Sequence, residues 1–101
     1  MSVTSVLRLP VRGDAVDDFA RAFVELDVFG HSRRSGGFLG GRLLRPLAPG
    51  APAVVIADWN SADDYRRWLE NPVRANLSER VAPLLAGEVA AGDLYEEVPL
   101  S

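Results

Sequence analysis

The segment AVVIADWNSADDYRRWLENP, residues 53–72, decides the fold of this chain. It begins with an almost unbroken apolar run from Ala53 to Trp59, which predicts a β-strand. Ser61 follows, with Asp64 three residues later. This spacing is typical of a helix start, because a serine side chain accepts a hydrogen bond from a free amide of the first turn. The segment therefore predicts a buried strand that leads directly into a helix.

The apolar run on residues 53–59 also bears on assembly. A strand with one solvated face alternates between apolar and polar residues, whereas a strand covered on both faces is apolar throughout. A single layer of helices covers only one face of a single sheet. We therefore expect a partner to cover the other face.

The rest of the chain adds three strands and two helical regions around this segment. The predicted elements are, in order, a strand from Val3 to Val11, a turn at Gly13, a helix that ends between Phe29 and Arg34, a strand from Phe38 to Arg45, the strand and helix of residues 53–72, a helix that begins at Asn71 and Pro72, and a strand from Asp93 to Val98. This order predicts an α+β, ferredoxin-like fold, with helices on one face of a four-stranded antiparallel sheet. The length favours a single domain over residues 1–101.

The composition excludes several classes of chemistry. All 11 basic residues are arginine, the chain has no cysteine, and His31 is its single histidine. Without lysine or cysteine there is no Schiff-base catalysis and no thiol nucleophile, and one histidine cannot build a multi-histidine metal site. We therefore expect no metal site, and an enzyme that relies on carboxylates, one imidazole, hydroxyls and arginines.

The charge and hydropathy of the chain limit the classes of partner that we expect it to bind. The formal net charge of −3 predicts neither a nucleic-acid partner nor attraction to an anionic membrane. No apolar run approaches the roughly 20 residues of a membrane span. The first residues lack a signal-peptide pattern, so we expect a cytoplasmic protein.

Three segments resemble the antibiotic biosynthesis monooxygenase family: GGFLGGRLLRP at residues 36–46, AVVIADWNSADDYRRWLENP at residues 53–72, and DLYEEV at residues 93–98. The resemblance implies a homodimer in which two four-stranded sheets pack into a dimeric α+β barrel. Such a dimer would explain the apolar run on residues 53–59. The resemblance also implies a small-molecule site between each sheet and its own helices.

The haem-degrading branch of this family is similar to the chain at Trp68. Its first-strand asparagine, however, falls on Leu7, and its haem-ligating histidine falls on Ser78. Haem chemistry is therefore not expected.

A second branch resembles the chain more closely at the site. Its members are small cofactor-free oxygenases that turn aromatic polyketide phenols or anthrones into quinones. Their strand-end tryptophan matches Trp59 and their tyrosine matches Tyr65, whereas their asparagine falls on Val55. Their helix arginine falls near Ser78, two positions before Arg80. The resemblance implies catalytic roles for Trp59 and Tyr65, dioxygen and an aromatic substrate as reactants, and no cofactor.

Aromatic residues are the candidates for the walls of such a site. Trp59 and Tyr65 each carry a polar tip that can reach a ligand. The other aromatic candidates for contact with the substrate are Phe19, Phe23, Phe38 and Trp68. Plain core packing is the alternative for each of them.

Asp27 and His31 are the polar pair of the predicted first helix. Asp27 points in the direction of the apolar stripe that contains Ala20 and Phe23. Residues four apart on a helix can touch, so Asp27 would orient His31 and raise its basicity. This predicts a catalytic base at the edge of the site. The alternative is that Gly30 ends the helix and leaves His31 in an exposed loop.

Three further polar residues are candidates for binding a phenolate or carbonyl oxygen. Asn76 and Arg80, four residues apart, flank the apolar stripe of the last predicted helix, and Arg42 alternates with Phe38 and Gly40 on the second strand. Ordinary surface roles or salt bridges are the alternative.

These observations predict a homodimeric, cofactor-independent monooxygenase of aromatic polyketide or related antibiotic biosynthesis. A polyketide cyclase on the same fold is one alternative, in which an acid–base pair drives ring closure. A non-catalytic dimeric binding protein, whose pocket is filled by side chains, is another.

Overall fold

The computed structural model describes residues 2–11 and 14–100. The turn predicted at Gly13 lies outside these residues. The elements are β1 (Val3–Leu9), α1 (Val16–Glu25), α2 (Val28–Ser35), β2 (Phe38–Leu44), β3 (Ala53–Trp59), α3 (Ala62–Glu70), α4 (Pro72–Val81), a 3₁₀ turn (Ala82–Leu84) and β4 (Asp93–Tyr95). The strands form one antiparallel sheet in the order β2-β3-β1-β4. The predicted ferredoxin-like α+β fold is confirmed, and within one chain the sheet remains open.

The segment of residues 53–72 folds as its sequence predicts. β3 runs from Ala53 to Trp59. The Ser61 hydroxyl caps α3 by accepting a hydrogen bond from the Asp64 amide at 3.2 Å. The Asn71 side chain caps α4 in the same way, with Pro72 in the first turn. Both caps satisfy amides that have no partner inside the helix.

The helices cover one face of the sheet. Successive side chains of a strand point to opposite faces. On β3, the side chains of Val55, Ala57 and Trp59 are buried under the helices, whereas Val54 and Ile56 lie on the opposite face. We call that opposite side the open face. α2 packs on β2 and α3 on β3, while α4 contacts the other three helices.

A β-bulge in β2 changes which side chains face the helices. Phe38 pairs with Trp59, but the next pair joins Gly40 to Asp58, so Leu39 is an extra residue. Beyond it the alternation is shifted, and Gly41 turns toward the helices. A Cβ at Gly41 would lie 2.7 Å from Cζ of Phe29, so only glycine admits this close approach.

The bulge also moves Arg42. Arg42 pairs with Ile56 and therefore lies on the open face, whereas Phe38 lies under the helices. The prediction that simple alternation places Arg42 beside Phe38 is wrong, because one inserted residue reverses the faces of the strand beyond it.

The first helical region is two helices instead of one. α1 ends at Glu25, and Asp27 adopts the left-handed conformation, with φ 52° and ψ 47°, before α2 begins. Aspartate tolerates this conformation better than most residues. Its carboxylate folds over Gly30, where a Cβ would lie 2.2 Å from Oδ2 of Asp27. The predicted continuous helix through His31 is therefore wrong, and His31 lies in α2.

Three strands end earlier than their sequences predict, and β2 does so by one residue, at Leu44. β1 stops at Leu9, although Val11 forms an isolated bridge with Leu85. β4 contains only Asp93–Tyr95, because only these residues pair with β1. Within the described ranges, no helix has the length and apolar character required to cross a membrane.

Candidate active site

A cavity of about 640 Å³ lies between the sheet and the helices. Its floor comes from β1 and β3, its walls from the helices and the end of β2, and one side from the segment after α4. The lining residues are Ser5, Leu7, Leu9, Phe19, Phe23, Val28, Phe29, Ser32, Phe38, Val55, Ala57, Trp59, Tyr65, Trp68, Arg74, Ala75, Leu77, Ser78, Val81, Ala82, Leu85, Gly87, Glu88 and Val89. The volume is in the usual range of small-molecule sites.

Aromatic rings run in an unbroken chain through this region. The ring centroids of successive members are 4.9 to 5.5 Å apart. The chain is Phe23, Phe29, Phe38, Trp59 and Tyr65. Rings at these separations pack in tilted, stacked or edge-on pairs, which makes a rigid apolar wall. Such a wall suits a flat aromatic ligand.

Trp59 is a wall residue whose polar tip is already bonded. Its side chain is only 2% exposed, and its indole N–H donates a hydrogen bond to the Ser5 hydroxyl at 3.1 Å. The Ser5 hydroxyl in turn donates to the Ala57 carbonyl. The expectation that the Trp59 N–H is free for a ligand is therefore wrong. Ser5 keeps the indole plane fixed against the cavity.

Tyr65 supplies a hydrogen-bond donor. Its hydroxyl accepts a hydrogen bond from the Gly92 amide at 3.1 Å, and no described residue accepts a bond from its own O–H. Burial raises the pKa of Tyr65 above its ordinary value, although the Gly92 amide and the charge of Arg74 oppose the shift and Asp93 adds to it. Tyr65 lines the cavity and stays protonated at neutral pH, so it carries an O–H that no described residue uses.

In a Tyr95→Phe variant, Tyr65 is the only tyrosine, so phenolate absorbance reports it alone. We expect a midpoint above pH 10.0. The unfolded chain ionises first, so the free energy of unfolding should fall as the pH rises past 10.0. A Tyr65→Phe variant should lack this part of the pH dependence. A midpoint at or below 10.0 would contradict the burial of the hydroxyl.

Comparison with known proteins agrees with this geometry. The sequence profile of the antibiotic biosynthesis monooxygenase family matches residues 2–80. The chain belongs to the antibiotic biosynthesis monooxygenase family. No curated protein sequence matches it significantly.

Among solved structures, the chain is similar to SnoaB of Streptomyces nogalater, a cofactor-independent oxygenase. The two share 28% identity over 97% of this chain and 94% of SnoaB, with a TM-score of 0.73. A Bordetella bronchiseptica protein that carries the family's name is 14% identical over 97% of this chain and 98% of its own, with a TM-score of 0.82. A conserved protein of Methanosarcina mazei is 11% identical over 97% of this chain and 94% of its own, with a TM-score of 0.76. The last two likenesses show the fold alone.

Most residues that the family resemblance indicates lie at the cavity of this family member. The predicted wall and contact residues in its lining are Phe19, Phe23, Phe38, Val55, Trp59, Tyr65 and Trp68. Leu7 and Ser78, where the haem-degrading branch carries its asparagine and histidine, also line it. Val55 stands where the oxygenase branch carries an asparagine, so this part of the floor is apolar here.

Asp27 and His31 lie apart from the cavity lining. The Asp27 carboxylate pairs with Arg34 at 3.3 Å, and the same guanidinium lies 3.1 Å from Nδ1 of His31. Asp27 and His31 share a backbone hydrogen bond, but no described hydrogen bond joins their side chains. The predicted orientation of the imidazole by Asp27 is therefore wrong, because the left-handed residue turns its carboxylate toward Arg34.

The polar face of α4 at the cavity differs from the predicted one. Asn76 and Arg80 are exposed and lie outside the lining, whereas Arg74 and Ser78 line it. Arg74 and Ser78 flank the apolar stripe on one side, and Asn76 and Arg80 flank it on the other. The sequence predicts an apolar stripe on α4, but it does not indicate which flank of that stripe faces the cavity.

Phe29, Ser32 and Arg74 are among the lining residues that the sequence did not predict. The first two reach the cavity because the break at Asp27 re-aims α2 toward the sheet. Among residues 2–11 and 14–100, no cluster of three histidine, aspartate or glutamate side chains is placed to hold a metal ion.

Proposed function

We propose that this family member is a cofactor-independent monooxygenase that acts on an aromatic polyketide, phenolic or anthrone intermediate of antibiotic biosynthesis. The observation that carries the proposal is the aromatic cavity, which is lined by a protonated Tyr65 whose O–H no described residue accepts. The 28% identity to SnoaB supports the same reaction class.

The proposed reaction needs only the substrate and dioxygen. An anthrone loses a proton from its CH₂ carbon, and the resulting carbanion, whose charge is delocalised onto the ring oxygen, gives one electron to O₂. The substrate radical and superoxide then combine into a C–O bond. Loss of the remaining C–H proton with cleavage of the O–O bond yields the quinone carbonyl and water. The substrate loses four electrons and O₂ gains four, so no further reductant is required.

The protein's part in this reaction is to stabilise the anion and exclude water. A donor aimed at the oxygen where charge develops lowers the barrier most in a dry site. Tyr65 is such a donor, because its own O–H is not used by a described residue. Trp59 and the phenylalanine rings hold the flat substrate against the sheet.

The two alternative functions have less support. A cyclase that uses an acid–base pair would need that pair in the cavity, and Asp27 and His31 do not line it. A binding protein filled by its own side chains would have no cavity, which the volume of about 640 Å³ argues against.

We also propose that the active form is a homodimer that buries the open face. This face carries Val6, Val54 and Ile56, with Leu44 and Tyr95 beside them, and Tyr95 is 52% exposed. Its polar groups are largely paired within the chain, as in the ion pair of Arg8 with Asp93 at 3.1 Å. A contiguous apolar patch of this kind is typical of an interface.

Oxygen consumption with an anthrone substrate tests the proposed reaction. We expect one O₂ consumed per quinone formed, with one labelled oxygen atom in the product. A Tyr65→Phe variant should lower kcat/KM by about a hundredfold or more, the usual cost of losing one oxyanion donor. Tyr95→Phe, which removes the tyrosine hydroxyl outside the cavity, is the matched control. Equal product formation without oxygen would contradict a monooxygenase and favour a cyclase.

A further inference from the structure

Arg74 differs from the other arginines that the structure describes. It is half-buried and lines the cavity, whereas every other arginine in residues 2–11 and 14–100 is exposed. Most of the exposed ones are paired with an aspartate, namely Arg8, Arg21, Arg34, Arg45, Arg66 and Arg67. Arg74 forms no ion pair with a described carboxylate. The most buried guanidinium is therefore one without a counter-ion.

A partly desolvated cation is unfavourable unless an anion accompanies it. Arginine cannot relieve this cost by losing its proton, since its pKa is too high. The cavity lining holds one carboxylate among its described residues, that of Glu88, which is exposed and not paired with Arg74. The missing anion is thus expected to arrive with the ligand.

The surroundings of Arg74 indicate where the anion lies. Arg74 and Ser78 are one turn apart on the cavity side of α4, and Tyr65 is on the neighbouring helix α3. The positive charge of Arg74 acts on the Tyr65 hydroxyl and lowers its pKa against the effect of burial. The guanidinium of Arg74 and the phenol of Tyr65 therefore belong to residues that line the same cavity from neighbouring helices. Together they suit a single anionic oxygen on an aromatic ring.

We propose that Arg74 binds the substrate as its ionised form, a phenolate or the tautomeric enolate, with the Tyr65 hydroxyl donating to the same oxygen. The identity of this ligand rests on the proposed function, but the anion site does not require turnover. The proton leaves to water when the ligand binds, and no electron moves in this step. The site therefore activates its substrate without an imidazole in the lining.

The test is the ionisation of a bound ligand that does not react. The probe is a hydroxyanthraquinone whose hydroxyl lies away from the ring carbonyl, so that no internal hydrogen bond masks its ionisation. The phenolate absorbs at longer wavelength than the phenol, so a pH titration gives the ligand's pKa free and bound. We expect the wild-type protein to lower that pKa by about 1 to 3 units, the usual effect of a close arginine.

The variants separate this site from general effects of charge. Arg74→Gln should return the bound ligand's pKa close to the free value, whereas Arg74→Lys should retain part of the shift. Arg66→Gln is the matched control, since it removes the same charge from the exposed side of α3, next to Tyr65 in sequence, and should retain the whole shift. The circular dichroism spectrum of the Arg74→Lys variant should equal that of the wild-type protein, which would show that the variant is folded.

Three results would overturn the proposal: an unchanged shift in Arg74→Gln, an equal loss in Arg66→Gln, or a wild-type protein that binds the phenolate no better than the O-methyl ether of the same ligand. Oxygen uptake is measured separately. A protein with the pKa shift but no oxygen uptake would retain the anion site and lose the proposed function.

Discussion

Replacing Trp59 by alanine is expected to lower the free energy of unfolding by about 3 to 5 kcal/mol. Trp59 is 2% exposed, and its ring contacts both Phe38 and Tyr65 in the aromatic chain. The substitution removes these contacts and leaves the Ser5 hydroxyl without the indole N–H it accepts. Since small domains have about 5 to 15 kcal/mol in total, this change would remove a large part of the stability. Denaturant titration measures the loss.

Trp59→Phe is the control for this prediction. Phenylalanine keeps an aromatic ring at the position but not the N–H, so it should cost clearly less than alanine. If alanine and phenylalanine unfolded at the same denaturant concentration, Trp59 would not be packed as the structure describes. Quinone formation by the phenylalanine variant would show how far the fixed indole plane matters for the reaction.

An Ile56→Asp substitution is expected to abolish the proposed homodimer. Ile56 lies at the middle of the open face, between Val6 on β1 and Arg42 on β2. A carboxylate there would be solvated in a monomer but buried in a dimer, where pairing with Arg42 would not repay its desolvation, so a cost on the order of several kcal/mol falls on the dimer alone. Light scattering during size-exclusion chromatography should show about half the wild-type mass.

The control for this change is Val24→Asp. Val24 is an exposed valine on α1, with 78% of its surface accessible, and α1 does not belong to the open face. Val24→Asp adds the same negative charge as Ile56→Asp but outside the open face, so the mass of the assembly should stay unchanged. A wild-type protein that already ran as a monomer would contradict the proposed dimer.

The sequence predicted the elements whose signals are local. β3 was predicted with its bounds because it is a continuous apolar run, and α3 because a serine and an aspartate stand at the spacing of a cap. The aromatic walls could also be predicted, because large aromatic side chains on the inner face of a predicted element are usually buried. The family resemblance then indicated which of them to expect around a ligand.

The parts that the sequence did not predict depend on single residues with special conformations. The bulge at Leu39 cannot be recognised in the sequence of a strand rich in glycine. It nevertheless places Arg42 on the open face, outside the cavity. The left-handed Asp27 interrupts a region whose apolar period continues across it, so the break is invisible to periodicity. For α4, two flanks of one stripe carry similar polar residues, and only the packed structure distinguishes Arg74 from Arg80.

The hydrogen bond from the Gly92 amide to the Tyr65 hydroxyl makes amide exchange at Gly92 a probe of the cavity. The Gly92 amide donates to the Tyr65 side chain and not to a strand or helix partner, and Tyr65 also lines the cavity. Even a Cβ at Gly92 would come within 2.5 Å of the Tyr65 oxygen, so backbone and phenol are in close contact. Amide hydrogen exchange at this one position therefore follows whether the phenol is in place, and it should slow when a bound molecule immobilises the ring.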